Sequence, residues 1–218
     1  MALIAIGDIH GCVRTLEVLL EQLAPTREDQ LIFIGDYVDR GPDARGVIER
    51  LLRLREELPC VFLRGNHEAL MLQYLDRGEV DLWFANGGLT TLNSYRGNGM
   101  CIPETHEQFL RETLLYYDTP AFFFVHGGLK PDLTIAENLK RYAHTELFLW
   151  EREHLNAPRL VWEKTVVCGH TPVAEPINRE RLIAIDTGCV YTHPGLGRLT
   201  AVRLPERSFL SIPRQDLV

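Results

Sequence analysis

Short apolar runs along the chain each stop at a cluster of glycine and polar residues. The runs occupy residues 3–6, 31–34, 61–63, 122–125 and 166–168. They are rich in β-branched or aromatic side chains and end next to polar turn residues, which is typical of β-strands rather than of helices. The pattern therefore predicts five strands, each followed by polar side chains at its carboxyl end.

Amphipathic stretches separate the first three of these strands. Apolar side chains recur at helical spacing over residues 13–23, and Pro25 follows that stretch. A second stretch is centred on residues 47–52, with Asp43 as its expected N-cap and Pro59 beyond its end. The resulting order, βαβαβ, predicts parallel strands in a layered fold that binds ligands at the carboxyl ends of its strands.

The rest of the chain carries weaker patterns. Residues 82–120 and 130–159 are compatible with helices. Strand-like runs return later, at residues 182–185, 199–204 and 209–212. The sequence contains no internal repeat, low-complexity segment or composition change that would mark a linker. We therefore expect one domain that spans residues 1–218 and belongs to the α/β (α+β) class.

Composition and charge argue against several classes of protein. The 218 residues include 23 Lys+Arg and 30 Asp+Glu, and the net charge of -7 argues against a broad surface for nucleic acids. The five cysteines share no CxxC spacing, which argues against a disulfide framework. The first apolar run is too short for a signal peptide or a membrane span. We expect a cytoplasmic protein that binds neither nucleic acid nor membranes; the sequence does not determine its oligomeric state, and we prefer a monomer.

The polar clusters after the strands supply oxygen and imidazole groups that bind metals. They provide two aspartates, three histidines and one asparagine: Asp8, His10, Asp36, Asn66, His126 and His170. Such ligands suit a divalent ion such as Mn, Fe, Zn or Ni, and they argue against a calcium site or a thiolate zinc site. Six ligands are too many for one catalytic ion with open positions. Two ions bridged by a carboxylate, the usual device for displacement at phosphorus, fit the set better.

The order and content of these clusters resemble the phosphoprotein phosphatase (PPP) family of the calcineurin-like metallophosphoesterase superfamily. The matching segments are Gly7-Asp8-Ile9-His10-Gly11, Gly35-Asp36-Tyr37-Val38-Asp39-Arg40-Gly41, Gly65-Asn66-His67-Glu68, His126-Gly127-Gly128 and Gly169-His170-Thr171. In length and layout the chain is most similar to the small bacterial and bacteriophage lambda-type members. The resemblance implies a central β-sandwich flanked by helices, with the metals at the loop-bearing edge of a βαβαβ core.

The resemblance also assigns the metal ligands. It places the first metal on Asp8, His10 and Asp36. It places the second metal on Asp36, Asn66, His126 and His170. We expect two divalent ions at this centre. Manganese is the first choice, and Fe, Zn or Ni are alternatives, because the ligand types limit the candidate metals and the supply of metal in the cell selects among them.

Other residues of the clusters are expected to act on the phosphate. Arg40 carries a guanidinium group that can bind the non-bridging oxygens of the phosphate, and Arg152 can do so at longer range. Asn66 is expected beside the phosphate as well. In the family pattern His67 is the general acid that protonates the leaving oxygen, and it is paired with Asp39. We expect Asp39 to hold the tautomer of His67 and to raise its pKa.

The resemblance implies a metallophosphatase catalytic domain that hydrolyses phosphomonoesters, namely phosphoserine and phosphothreonine in phosphoproteins or phosphopeptides. The alternative is symmetrical hydrolysis of dinucleoside polyphosphates such as diadenosine tetraphosphate, an activity of a sister branch. That branch tends to lack the aspartate matching Asp39 and to carry Asp in place of Glu68, so both residues favour the protein phosphatase. A non-catalytic phosphoprotein-binding scaffold is the third hypothesis, and the presence of a general acid such as His67 argues against it.

Overall fold

The apolar runs form two five-stranded β-sheets in the computed structural model, which describes residues 2–217. The first sheet contains β1 (Leu3–Ile6), β2 (Gln30–Phe33), β3 (Cys60–Phe62), β9 (Arg198–Leu204) and β10 (Ser208–Pro213), in the order β10-β9-β1-β2-β3. The second contains β4 (Tyr116–Asp118), β5 (Phe122–Val125), β6 (Thr165–Cys168), β7 (Ile177–Asn178) and β8 (Leu182–Ala184), in the order β4-β5-β6-β8-β7. All five predicted strands are present, within one residue of their predicted bounds.

Helices cover the outer faces of the sheets. Within the described part of the chain they are α1 (Val13–Leu23), α2 (Ala44–Glu57), α3 (Asn66–Arg77), α4 (Asp81–Ala85), α5 (Gly88–Ser94), α6 (Glu104–Glu112), α7 (Ile135–Tyr142) and α8 (Leu147–Trp150), with 3₁₀ turns at Arg96–Asn98 and Glu153–Leu155. The first two helices confirm the predicted amphipathic stretches, and Asp43 caps α2 by accepting a hydrogen bond from the Gly46 N–H (2.8 Å). None of these helices has the length and apolar surface to span a bilayer.

Parallel pairing aligns the carboxyl ends of the central strands. In the first sheet β1 pairs in parallel with β2, and β2 with β3. In the second sheet β5 pairs in parallel with β6, and β6 with β8. The helices α1 and α2 form the crossovers of the first sheet, so the predicted βαβαβ order is confirmed.

The two sheets pack face to face, and their central strands are buried on both sides. In β1, Ile4 packs among the helices of the first sheet, whereas Ala5 lies in the interface between the sheets. In β5, Phe124 lies in that interface, whereas Phe123 packs on the outer side of the second sheet. Burial on both faces explains why these strands are continuous apolar runs in the sequence. The expected β-sandwich flanked by helices is thus confirmed.

Two edge strands are not predicted by the sequence pattern. The three residues of β4 lie inside the region 82–120, which the pattern assigns to helices, and β7 contains only two residues. Both strands lie at the edges of the second sheet. An edge strand pairs on one side only and can be very short, so it leaves little periodic signal in the sequence.

The N-terminus of α1 is capped from the far end of the chain. Cys12, at the N-cap position, makes no side-chain hydrogen bond to the helix. Instead, the buried carboxylate of Asp216 accepts hydrogen bonds from the backbone N–H groups of Arg14 and Thr15 (both 3.0 Å) and from Thr15 Oγ1 (2.6 Å). Because α1 begins directly after the loop that carries His10, this contact anchors that loop as well.

Replacing Asp216 with alanine is expected to lower the free energy of unfolding by about 1–2 kcal/mol, the usual value of an N-cap side chain. Urea denaturation followed by circular dichroism measures this change. Gln215→Ala is the matched control, because its exposed side chain bonds to the Pro213 carbonyl and not to the helix. An unchanged stability in Asp216→Ala, or an equal loss in both variants, would contradict the capping role.

Candidate active site

The polar clusters that follow the parallel strands meet at one edge of the sandwich. Asp8 and His10 follow β1, Asp36 follows β2, Asn66 begins α3 after β3, His126 follows β5 and His170 follows β6. Each of these six side chains is at most 7% exposed. The structure therefore brings together all six residues that the sequence predicts as metal ligands.

Asp36 lies between two groups of metal-binding atoms. Its Oδ2 is 3.5 Å from His10 Nε2, and its Oδ1 is 3.4 Å from His126 Nε2. Among residues 2–217, ligand atoms within 4.8 Å of one another form one group of His10, Asp36 and His67 and another of Asp36, His126 and His170. A carboxylate shared by two such groups can bridge two divalent ions.

Asn66 and Asp8 complete this edge. Asn66 Oδ1 lies 3.0 Å from His126 Nε2 and 2.9 Å from His170 Nδ1, so Asn66 belongs with the second group. The Asp8 carboxylate accepts a hydrogen bond from the backbone N–H of His170 (3.0 Å to Oδ2). The first group contains His67 where the family pattern places Asp8. The assignment of Asp8 to the first metal therefore stays a prediction.

The loops that carry these residues adopt backbone conformations that side-chain-bearing residues rarely adopt. Five of the residues have φ between +46° and +70°: His10, Asp36, Asp39, Arg40 and His170. Such conformations cost about 1–3 kcal/mol each and cluster at functional sites. The loops also approach each other closely, because a Cβ on Gly169 would collide with the Asp8 carboxylate.

Glu68 fixes the loop that carries Asp36. Its buried carboxylate accepts hydrogen bonds from the backbone N–H groups of Gly65, Asp36 and Tyr37 (each 2.8 Å) and of Val38 (3.3 Å). Burial, followed by the charge of Asp36, raises the pKa of Glu68 to about 7. Because all four bonds go to the protein backbone, Glu68 positions Asp36 rather than contacting a substrate.

Backbone carbonyls fix the orientation of two imidazoles. His10 Nδ1 lies 2.8 Å from the Val38 carbonyl oxygen, and His126 Nδ1 lies 2.9 Å from that of Ile34. A carbonyl oxygen only accepts, so Nδ1 of each ring carries the proton and donates it. When the ring is neutral, Nε2 then presents a lone pair toward Asp36, which is the form that binds a metal ion.

The buried acids and imidazoles shift one another's pKa values when no ion is bound. Burial, followed by the charge of Asp186, raises the pKa of Asp8 well above its ordinary value. Burial also acts to raise the pKa of Asp36, but the neighbouring histidines, His126 first, bring it well below the ordinary value. Burial acts to lower the pKa of His126, but Asp36 raises it to about 9. Divalent cations fit such a site, because they relieve the repulsion between crowded carboxylates.

Asp186 is a buried carboxylate at this edge that the sequence reasoning missed. It follows β8, and its Oδ1 accepts a hydrogen bond from the Gly188 N–H (2.8 Å). Burial raises the pKa of Asp186 to about 6. The signal was available, since an acidic residue close to a glycine follows β8, just as one follows β1 and β2.

His67 carries an unpaired ring nitrogen into the centre of the site. Its Nδ1 donates to Asp39 Oδ2 (2.7 Å), whereas its Nε2 lies 3.9 Å from Asp36 Oδ2. Within the described residues this buried Nε2 has no hydrogen-bond partner. A buried polar atom without a partner is costly, which indicates that a bound group satisfies it in the working protein. The donor set and this nitrogen fit a centre for metal ions and phosphate.

The expected effect of Asp39 on the pKa of His67 is wrong. Burial lowers the pKa of His67 to about 4, although Asp36 acts to raise it. Burial also raises the pKa of Asp39 to about 8, against the hydrogen bonds from Thr91 and Trp83. Both charged forms are disfavoured, because the pair lies away from water. Asp39 therefore orients His67 without raising its pKa.

Two residues from the helical region 82–120 hold Asp39 in place. Trp83 Nε1 donates to both Asp39 oxygens (2.9 and 3.0 Å), and Thr91 Oγ1 donates to Asp39 Oδ1 (2.6 Å). Both side chains are buried. Sequence reasoning missed them, because they lie 44 and 52 positions from Asp39 and belong to no motif.

Replacing Trp83 with phenylalanine is expected to lower kcat about 10-fold, because Asp39 loses a donor and the His67 ring is less firmly oriented. KM should stay within about twofold, since Trp83 contacts Asp39 and not the phosphate position. Steady-state kinetics of the metal-loaded variant measures both constants. Trp162→Phe is the matched control, because it also deletes a buried indole hydrogen bond, to the Lys130 carbonyl (3.0 Å). An equal fall of kcat in both variants would contradict the orienting role.

Arg40 and Arg152 lie on opposite sides of the two ligand groups. Arg40 Nη1 donates to His10 Nε2 (2.9 Å), and Arg152 Nε donates to His170 Nε2 (2.9 Å). Arg40 is partly exposed and Arg152 is exposed, so both guanidinium groups stand at the rim of the buried cluster. The structure therefore brings both predicted phosphate-binding arginines to the site.

A model of the calcineurin-like phosphoesterase family matches residues 1–197, a range that contains all six ligand residues. The chain belongs to the calcineurin-like phosphoesterase family. Calcineurin-like phosphoesterases hydrolyse phosphoesters with divalent metal ions, and the two His/Asp groups around Asp36 are the metal-binding candidates of this member. The choice of manganese stays a prediction.

Relatives of this calcineurin-like phosphoesterase include proteins that share the name of one activity. An asymmetrical bis(5'-nucleosyl)-tetraphosphatase PrpE of Oceanobacillus iheyensis is 30% identical, with 95% of this chain and 90% of that protein covered. The protein of the same name from Geobacillus sp. (strain WCH70) is 31% identical, with 95% and 92% covered.

Solved structures share the fold of this calcineurin-like phosphoesterase. A protein assigned provisionally as a diadenosine tetraphosphatase is 26% identical, with a TM-score of 0.69 and with 97% of this chain and 93% of that chain covered. A protein serine/threonine phosphatase of Saccharomyces cerevisiae is 16% identical, with a TM-score of 0.63 and with 100% and 81% covered. The second likeness concerns the fold alone.

Proposed function

We propose that this protein hydrolyses dinucleoside tetraphosphates, such as diadenosine tetraphosphate, to a nucleoside triphosphate and a nucleoside monophosphate. The observation that carries the proposal is the similarity to proteins named for that asymmetrical activity, which spans 95% of this chain and at least 90% of theirs. The structural neighbour assigned provisionally as a diadenosine tetraphosphatase supports the same class of substrate.

The sequence pattern favours a serine/threonine protein phosphatase on the strength of Asp39 and Glu68, but the positions of these residues remove that preference. Glu68 bonds to the backbone of the Asp36 loop, and Asp39 lies behind His67. Both act on parts of the site that any phosphoester would use, so they carry no information about the group attached to the phosphate. The names of the relatives favour the dinucleotide alternative, with asymmetrical rather than symmetrical cleavage.

The phosphates would bind where the two ligand groups meet. Divalent ions held by Asp8, His10, Asp36, Asn66, His126 and His170 would polarise the phosphate oxygens and lower the pKa of water from its ordinary value of about 15.7. Arg40 and Arg152 approach from opposite sides, where they can bind and orient the anionic oxygens of the polyphosphate. These local positive groups attract a polyanion despite the net charge of -7.

We infer that His67 supplies a proton to the leaving oxygen. Hydrolysis breaks one P–O–P link, with the hydroxyl of water joining one phosphorus and a proton joining the oxygen that leaves. The unpaired Nε2 of His67 points to the centre of the site, and Asp39 holds the opposite ring nitrogen. A phosphate anion beside the ring acts to raise the pKa of His67, because an opposite charge favours the imidazolium, whereas the divalent ions act to lower it. Nε2 can then donate that proton.

Parallel kinetics on three substrates tests the proposal. Purified protein is stripped with a chelator, reloaded with Mn²⁺, and assayed on diadenosine tetraphosphate, a phosphoserine peptide and p-nitrophenyl phosphate. We expect metal-dependent activity, with kcat/KM at least about 10-fold higher for the dinucleotide than for the peptide.

The other outcomes are equally informative. A higher kcat/KM for the phosphoserine peptide would overturn the proposal in favour of the protein phosphatase. No hydrolysis of any substrate by protein that has two ions bound would favour the phosphoprotein-binding scaffold.

A further inference from the structure

A shallow recess opens beside Arg40, outside the metal-binding cluster. It has a volume of about 370 Å³ and is lined by Arg40, Ala85, Asn86, Gly87, Val190 and Tyr191. This volume lies within the range of small-molecule sites, which is about 300–1,000 Å³. None of the lining residues is a predicted metal ligand, so the recess can hold a part of a substrate that the cluster itself does not contact.

Arg40 connects the recess to the phosphate position. Its Nη1 donates to His10 Nε2 (2.9 Å), while its Cζ lies 5.7 Å from the centre of the Tyr191 ring. A phosphate chain bound by Arg40 at the metal-binding cluster would therefore carry its next chemical group toward Tyr191.

The turn between α4 and α5 forms the wall that faces Tyr191. The Arg40 N–H donates to the Gly87 carbonyl (3.3 Å), and a Cβ on Gly87 would lie 2.9 Å from Arg40 Cγ. Gly87 also has φ +97°, a conformation that favours glycine. The turn therefore approaches Arg40 closely and brings the Asn86 side chain to the recess, where its amide nitrogen donates to the Leu82 carbonyl (2.9 Å) and its amide oxygen is the group that remains for a ligand. A flat heteroaromatic ring with a polar edge matches this chemistry.

A larger cavity elsewhere does not fit the same ligand. It has a volume of about 680 Å³, and none of its lining residues is a predicted metal ligand or one of the two phosphate-binding arginines. Its arginines are already engaged: Arg64 donates to Thr113 Oγ1 (3.0 Å), and Arg111 pairs with Asp76 and Glu107. A ligand there would have no connection to the reacting phosphate.

We propose that the recess between Tyr191 and the Asn86–Gly87 turn binds the nucleoside of the substrate, with the base stacked on Tyr191 and the phosphates on Arg40. This inference rests on the proposed function for the identity of the ligand. Tyr191 would then distinguish nucleotides from other phosphate compounds. This role is separate from the chemistry at the metal-binding cluster.

Calorimetric titration of the metal-loaded protein with two ligands tests this site. Adenosine 5'-monophosphate, a product of the proposed reaction, is compared with ribose 5-phosphate, which has the same phosphate and sugar but no base. We expect the nucleotide to bind about 10-fold more tightly, because stacking of one base on an aromatic side chain has about this effect. Tyr191→Leu should abolish the difference without changing the affinity for ribose 5-phosphate, and Tyr191→Phe should keep it.

Tyr117→Leu is the matched control. Tyr117 is also partly exposed, and it lines an apolar pocket with Leu3 and Phe122, at the amino ends of β1 and β5 and so at the opposite edge of the sandwich. Equal binding of the two ligands by the natural protein, or a preference that survives in Tyr191→Leu, would overturn the proposal. This test can be told apart from the test of the proposed function. A preference for the nucleotide that depends on Tyr191, without cleavage of the dinucleotide, would support the binding site and overturn the proposed activity. Cleavage of the dinucleotide without such a preference would overturn only the binding site.

Discussion

Replacing His67 with asparagine is expected to lower kcat by about 10²-fold or more, the usual contribution of general acid catalysis. The reason is the unpaired, buried Nε2, which is the one ring nitrogen of His67 that Asp39 leaves available to a leaving oxygen. The loss should be largest for a substrate with a poor leaving group, because such a group depends most on protonation. Steady-state kinetics on esters with graded leaving groups measures this dependence.

The same variant also tests whether His67 binds metal. His67 shares a group of ligand atoms with His10 and Asp36, although the family pattern gives it no metal. We expect His67→Asn to retain as many ions per chain as the natural protein, as measured by inductively coupled plasma mass spectrometry. His106→Asn is the control for a buried histidine, since His106 bonds to the Tyr95 hydroxyl (2.8 Å). Loss of one ion, or an unchanged kcat on a poor leaving group, would remove His67 from the role of general acid.

Replacing Asp36 with asparagine is expected to lower activity by about 10³-fold or more and to reduce the number of bound ions below two per chain. Asp36 presents one oxygen to His10 and the other to His126, so it is the only residue common to both groups of ligand atoms in the described chain. The amide keeps the shape of the side chain but removes the negative charge that two cations would share.

Metal content and activity are measured together for Asp36→Asn. Asp132→Asn is the matched control, because Asp132 is exposed and lies outside the clusters. Thermal unfolding confirms that the variant is folded, so that a loss of activity is not a loss of structure. Two bound ions with activity within about tenfold of the natural protein would contradict the bridging role of Asp36.

The metal-binding edge could be predicted from the sequence because every predicted ligand follows an apolar strand. Asp8 and Asp36 follow β1 and β2, and the parallel pairing of these two strands brings their carboxyl ends together. His126 and His170 follow the parallel pair β5 and β6 in the same way. No long-range information is needed for that step. The same logic would have found Asp186 after β8.

The residues that support the site could not be predicted, because their contacts are long-range and belong to no motif. Trp83 and Thr91 hold Asp39 from the α4–α5 region, and Asp216 caps α1 from 201 positions away. Each makes a hydrogen bond that only the folded chain brings about. The edge strands β4 and β7 were missed for a related reason, since two or three residues paired on one side carry too little apolar pattern.

Substrate preference could not be predicted for a different reason. The motifs describe the atoms around a phosphate, and these are the same for a phosphomonoester and for a phosphoanhydride. Asp39 and Glu68 lie behind His67 and Asp36, away from the rest of a substrate. The recess at Gly87 and Tyr191 lies outside the motifs, on segments whose sequence pattern carries no such information.

Analysis of the products of diadenosine tetraphosphate by anion-exchange chromatography tests the proposed reaction most directly. The metal-loaded protein is predicted to release ATP and AMP in equal amounts. Neither product should appear after treatment of the protein with a chelator or with the variant Asp36→Asn. ADP as the single product would contradict asymmetrical cleavage. Intact dinucleotide, with phosphate released from a phosphoserine peptide under the same conditions, would contradict the proposed substrate class.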